Sequence, residues 1–186
     1  MTIAGAPPIN LAQVAAEVGQ PSAGFNMDRL DARMLAKVST ASGSPYSMTS
    51  FLGRTCSNIT LNIGFDGSFS YGFQQQTSVY GFLTPNFIGG IQVYTLSKLA
   101  VNQFQLTLYG TWAANTVYAL MLRNSTAAIS GTFPDLILLN SAASFSTGVD
   151  AFGNAISTWA WGAGAAAALT NWPALVGNNV QVQAIL

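Results

Sequence analysis

The chain has 186 residues; half are apolar, 11% aromatic and only 6% charged, with no histidine and six basic residues balancing six acidic ones. A typical domain carries about a quarter charged residues, so this surface is unusually bare. The composition excludes a basic stripe for nucleic acid and excludes disorder, which needs low hydrophobicity and high net charge. Near-zero net charge favours self-association, which points to a subunit kept soluble by an assembly.

One domain, or one domain with a small appendage, suits this length. About 70% of the unfolded surface is buried by a chain of this size, enough for a core without staples. A single cysteine, Cys56, excludes an internal disulfide framework and multi-cysteine metal sites. The first charged residue is Glu17, so no basic n-region of a signal peptide precedes it. No uninterrupted apolar run reaches the roughly 18 residues of a membrane-spanning helix. The alternating pattern also suits an outer-membrane barrel, but that needs export, and no export signal is seen.

Charge divides the chain. Glu17, Asp28, Arg29, Asp31, Arg33, Lys37 and Arg54 fall in the first 54 residues, and only Asp66, Lys98, Arg123, Asp135 and Asp150 follow. Eighteen of the 21 aromatic residues lie in that second part. The boundary is therefore expected near Arg54–Ser57, giving a helical N-terminal docking module over 1–55 and a β domain over 56–186.

In chain order, Pro7-Pro8 ends an extended leader and Asn10 is an N-cap with Gln13 completing a capping box. Leu11, Val14, Ala15 and Val18 form one helical stripe, Gly19 is placed to end it and Pro21 blocks continuation. A second helix is predicted over about Met27–Val38, with Leu30, Met34 and Val38 on one face. Its acidic residues Asp28 and Asp31 lie near the N-terminus and Lys37 near the C-terminus, as the helix dipole favours. Gly43-Ser44-Pro45 makes a turn, and Tyr46–Phe51 offers apolar anchors before Gly53. Helices this short are marginal alone and must pack on something.

From Asn58 the period becomes two. Strands are predicted at Asn58–Ile63, Ser68–Phe73, Val79–Leu83, Ile91–Leu96, Gln103–Tyr109, Tyr118–Leu122, Leu136–Leu139, Thr158–Trp161 and Val180–Ala184, with Asp66-Gly67 as a hairpin turn. About nine short strands at this spacing imply a mainly β fold, an antiparallel sandwich of jelly-roll or Ig-like type. Their outward residues are Gln, Ser, Thr and Asn, which leaves the edges without charged protection. Gly162–Ala168 is read as a loop.

Catalytic chemistry is thin. Without histidine there is no serine or cysteine triad and no usual zinc site. Asp66, beside Gly67, reads as a turn residue, and Asp135 and Asp150 as solvated loop residues. No phosphate-cradling glycine loop is present. Arg54 lies two residues from Cys56, but a small buried core cysteine is the better reading of that thiol. No catalytic, cofactor-binding or metal site is expected, and no enzyme. Trp112, Trp159, Trp161 and Trp172 suit a sugar-stacking surface; Trp159 and Trp161, two apart on a strand, suit a core better. Two glycosylation sequons, at Asn58 and Asn124, carry no meaning without secretion.

The run Pro8-Ile9-Asn10-Leu11-Ala12-Gln13-Val14-Ala15-Ala16-Glu17-Val18-Gly19 resembles a leader of the type P-I-S-L-x-D-V-x-x-E-L-G. Leu30-Asp31-Ala32-Arg33-Met34-Leu35-Ala36 and Ser42-Gly43-Ser44-Pro45-Tyr46-Ser47-Met48-Thr49-Ser50-Phe51-Leu52-Gly53-Arg54 resemble its continuation, L-x-x-x-x-V-R-x-L-A and then S-G-x-I-S-M-S-D-F-Y-G-K. The departures are Tyr46, Ser50 and Leu52. Such modules are found in small structural proteins of tailed bacteriophages. A second likeness lies in Phe133-Pro134-Asp135-Leu136, Ser144-Phe145, Ser157–Trp161 and Trp172-Pro173 before the last strand. The resemblance implies a virion component made in the host bacterial cytoplasm, most often tail-associated (tail tip or fibre). Head decoration or cementing and host-glycan binding are its alternatives. The implied partners are copies of itself, other phage structural proteins and, for a tail protein, a host surface receptor, with no nucleic acid and no membrane insertion. Leu11, Val14, Val18, Leu30, Met34, Met48, Phe51 and Arg54 are the assembly residues this reading selects.

Overall fold

The computed structural model describes residues 9–19, 22–23, 25–27, 29–38, 45–76, 79–99, 103–124, 136–169 and 172–186. Pro7-Pro8, Pro21, Asp28, Gly43-Ser44 and Asp135 lie outside these, as do the side chains of Leu30, Asp31 and Asn124.

Two short helices open the chain, α1 (Leu11–Glu17) and α2 (Leu30–Leu35), followed by a 3-10 turn at Met48–Phe51. The predicted capping box is present: the Asn10 amide donates to Gln13 Oε1 at 2.8 Å and the Gln13 amide to Asn10 Oδ1 at 3.0 Å. Helix α2 is shorter than the predicted Met27–Val38. Lys37 turns left-handed at φ 55°, and the Val38 amide reaches Arg33 O while the Lys37 amide reaches Met34 O. That is a Schellman ending with lysine where glycine is usual, so no glycine announced it.

The remainder is mainly β, in two antiparallel sheets. The smaller contains β1 (Cys56–Asn62), β4 (Phe82–Thr84), β8 (Ala119–Asn124), β9 (Leu136–Leu139) and β12 (Asn179–Ile185), in the order β4-β1-β12-β8-β9. The larger runs β10-β11-β7-β6-β3-β2, built from β2 (Gly64–Phe65), β3 (Ser70–Gln74), β6 (Ile91–Leu99), β7 (Gln103–Tyr109), β10 (Ala143–Val149) and β11 (Ala155–Trp161), with β5 (Phe87–Ile88) pairing onto β6. Twelve strands thus stand among the described residues where about nine were expected. Two of the additions are only two residues long. The third, β10, places Ala143, Phe145 and Val149 on one face, but Thr147 interrupts their alternation and Ser144, Ser146 and Gly148 fill the other.

Alternate residues of both sheets point into one cluster. Ile59, Leu61, Leu120, Leu122, Val180 and Val182 come from the smaller sheet and Leu96, Phe104, Leu106, Leu108, Trp159 and Trp161 from the larger. Gly162–Ala168, expected as a loop, instead forms a third helix, α3 (Ala163–Ala168), with Ala166 buried. Alanine has the best intrinsic helix propensity, and here it outweighs the neighbouring glycines.

The smaller sheet is covered on its other face as well. Val14, Ala15, Val18, Met34, Leu35 and Phe51 form a second cluster with Ala119, Met121 and Ile185. Strand β8 is therefore apolar on both faces, with Leu120 and Leu122 turned to the core and Ala119 and Met121 to the helices. The result is three layers: helical module, smaller sheet, larger sheet.

Candidate functional site

The helical module is held to the sheet at the C-terminal end of α1, where carbonyls lack partners within the helix. Asn58 Nδ2 donates to Glu17 O at 2.9 Å and Gln183 Nε2 donates to Val18 O at 2.5 Å. The same Gln183 amide donates to Asn58 Oδ1 at 2.9 Å, and the Cys56 amide donates to Glu17 Oε1 at 2.7 Å. Side chains of β1 and β12 thus cap α1, and Glu17, 1% exposed, reaches back to β1. The chain turns away at Gly19, at φ 64°.

This geometry locates the expected assembly residues. Val14, Val18, Met34 and Phe51 are buried against the chain's own sheet. Leu11, expected on the same stripe, is 39% exposed, and Met48 and Arg54 are half-buried. Arg54 Nε donates to Ser50 O at 3.2 Å, closing the 3-10 turn.

Three cations of the module lie over rings. Arg33, buried, is 5.0 Å from the Tyr46 ring centroid, Arg29 is 5.4 Å from that of Phe25, and Lys37 is 5.2 Å from that of Tyr118. Such contacts let cations sit in a layer with few carboxylates. Desolvation, helped by the nearby Arg54 charge, pulls the Lys37 amine below its usual range.

Burial pushes the Glu17 carboxyl above its ordinary 4.5, against the opposing hydrogen bond from the Cys56 amide. The folded chain therefore binds this proton more tightly than the unfolded chain does. Its contribution is fully present below pH 4.5 and is lost as pH rises through the raised value. Glu17→Gln keeps an acceptor for Cys56 but cannot ionise. Urea midpoints measured across this window are expected to fall with rising pH more steeply for the wild type than for the variant. Parallel curves would contradict this role for Glu17.

The carboxylates of the β part serve turns. Asp66 Oδ1 accepts from the amides of Ser68, Phe69 and Ser70 at 2.8, 2.9 and 3.0 Å. Desolvation opposes ionisation there, but these hydrogen bonds outweigh it and hold the carboxyl below its usual range. Asp150 accepts from the Phe152 and Asn154 amides, both at 2.9 Å, and from Asn154 Nδ2 at 3.0 Å, with the same net direction. Cys56 is buried. No cluster of three metal-ligating side chains occurs among the described residues, and no described helix is long and apolar enough to cross a membrane.

Three tryptophans belong to the core. Trp159 donates to Ala114 O and Trp161 to Leu139 O, both at 2.7 Å, while Trp172 packs edge-on to Phe104 at 5.5 Å. Only Trp112, 37% exposed, is left for a ligand face, and its indole already donates to Tyr109 O at 2.6 Å. A four-tryptophan sugar platform is therefore not formed.

What remains on the surface is uncharged edge and scattered apolar side chains. The edge strands are β4 and β9 in the smaller sheet and β2 and β10 in the larger. Beside β9 lies a groove of about 400 Å³ lined by Leu136–Leu139, Ala142, Trp161 and Gly162–Ala165. A second cleft, about 610 Å³, lies between the start of β1 and Pro85–Gly90 and holds no charged side chain. Sequence reading missed β10 and this groove, because both arise from the pairing order of the strands. No protein-family model, no curated protein and no solved structure matches the chain.

Proposed function

We propose that the chain is a bacteriophage virion structural protein, a tail-associated subunit at the tail tip or in a fibre. It docks through its N-terminal module and assembles through its β domain, a sandwich of the jelly-roll or Ig-like class. The observation that carries this reading is the three-segment resemblance over residues 8–54. Its marked positions have separate physical jobs in this chain: Asn10 and Gln13 cap α1, Glu17 anchors it to β1, and Gly19 supplies the left-handed exit. The two antiparallel sheets with their shared cluster support the sandwich, and the uncharged edges support assembly. With Val14, Val18, Met34 and Phe51 turned inward, the docking surface on neighbouring proteins is the outer side of the module, around Leu11, Met48 and Arg54.

Gold-labelled antibody against the chain, viewed on purified particles, tests the proposal. Label at the tail end is expected. Label scattered over the head would replace the tail reading with decoration or cementing, and capsid heat stability would then be the assay. Absence of label together with absence of the chain from particle mass spectra would overturn the virion reading. Host-glycan binding has its own readout: sugar-dependent fluorescence quenching has to come from Trp112, and a Trp112→Phe variant would lose it.

A further inference from the structure

Among the described residues strand β10 is the longest edge, seven residues against four for β9, three for β4 and two for β2. Among the described residues it pairs with β11 alone, in unbroken register from Ala143↔Trp161 to Val149↔Ala155. An edge presents a row of N–H and C=O groups that only another strand satisfies in series, and proteins usually blunt it with lysine, proline, a bulge or a covering segment. The sequence Ala-Ser-Phe-Ser-Thr-Gly-Val has no charge and no proline, and its pairing has no bulge.

We infer that β10 is a two-fold interface that takes β10 of a second copy of this chain, antiparallel, with the axis at Ser146. This deepens the proposed assembly through the β domain and rests on it. Only an axis at Ser146 pairs all seven residues. It sets Ser144 against Gly148 and Ser146 against itself on one face, and Phe145 against Thr147 and Ala143 against Val149 on the other. Every large side chain then meets a small one, and Val149, 67% exposed, gains a cover. Beyond Val149 the hairpin tip carries Phe152, 68% exposed. The register brings that tip alongside the partner's Asn140–Ala142 turn, at the rim of the 400 Å³ groove beside β9. An exposed aromatic and an apolar groove on one chain are thus matched twice by a single two-fold, as a self-complementary interface requires. The two Asp150 carboxylates fall at opposite ends, about 27 Å apart by strand rise, so no like charges face each other.

Light scattering on the purified 186-residue chain at tens of micromolar is expected to give twice 19.5 kDa. Ser146→Lys, which opposes two ammonium groups at the axis, is expected to give monomer with an unchanged circular dichroism spectrum. Ser146→Cys introduces a thiol in a chain whose own Cys56 is buried. With oxidised glutathione it should form a disulfide dimer at least tenfold faster than Ser68→Cys, placed in an exposed turn. A monomeric wild type, a dimer that survives Ser146→Lys, or equal cross-linking of the two cysteine variants would overturn the inference. None of these outcomes bears on particle labelling, so the virion reading and this interface fail separately.

Discussion

Gly81→Ala is expected to destabilise the chain by about 2–4 kcal/mol, a sum of roughly 1 for a left-handed alanine and 1–3 for overpacking. Gly81 sits at φ 64° where the chain enters β4, and a Cβ there would lie 2.0 Å from Gly72 O and 2.7 Å from Asn62 O. Both neighbours are backbone, so neither swings aside as a side chain would. Gly64 meets Gly81 N in the same way, at 2.0 Å. Three glycine backbones therefore close the corner where β1 leaves for the larger sheet and β4 returns to the smaller. Gly67 is the control: its φ is 86° but nothing lies within 4 Å of its would-be Cβ. Gly67→Ala should cost only about 1 kcal/mol. Equal urea midpoints for the two variants would show that the close approach at Gly81 is not a constraint.

Trp161→Ala is expected to cost about 3–5 kcal/mol, a large part of the 5–15 kcal/mol typical of a domain. The side chain is 2% exposed, packs 6.1 Å from Phe104 and donates its indole N–H to Leu139 O of β9. It thus ties the larger sheet to the edge strand of the smaller one. Removing it leaves a cavity and frees β9, so a lower denaturant midpoint should come with faster amide exchange in Leu136–Leu139. Trp112→Ala, at a site 37% exposed, should cost much less. If the two variants unfold together, the core assignment of Trp161 fails.

A physical consistency runs through these elements. The chain carries almost no charge, and Arg29, Arg33, Lys37 and Lys98 lie over aromatic rings while Asp66 and Asp150 lock turns. Charge that in other proteins would keep edge strands apart is absent from β10 and β9. Assembly is the arrangement in which such edges are satisfied rather than exposed.

Several features could be read from local sequence because local chemistry decides them. Asn10 and Gln13 are three residues apart, so the capping box follows from helix geometry alone. Alternation places Phe104, Leu106 and Leu108 on one face of β7 wherever that strand pairs. Asp66 before Gly67 makes its turn from its own neighbours.

Other features are products of distant packing. Arg33 lies mid-helix, and its burial depends on where Tyr46 falls. The end of α1 finds its partners only when β1 and β12 close over it: Cys56 is 39 positions from Glu17, and Gln183 is 165 positions from Val18. The apolar stripe of α1 announced a partner but could not say which, since a hydrophobic face carries no address. Tertiary structure supplied the smaller sheet as that partner and, among the described residues, left β10 paired on one side only, at the end of the larger sheet.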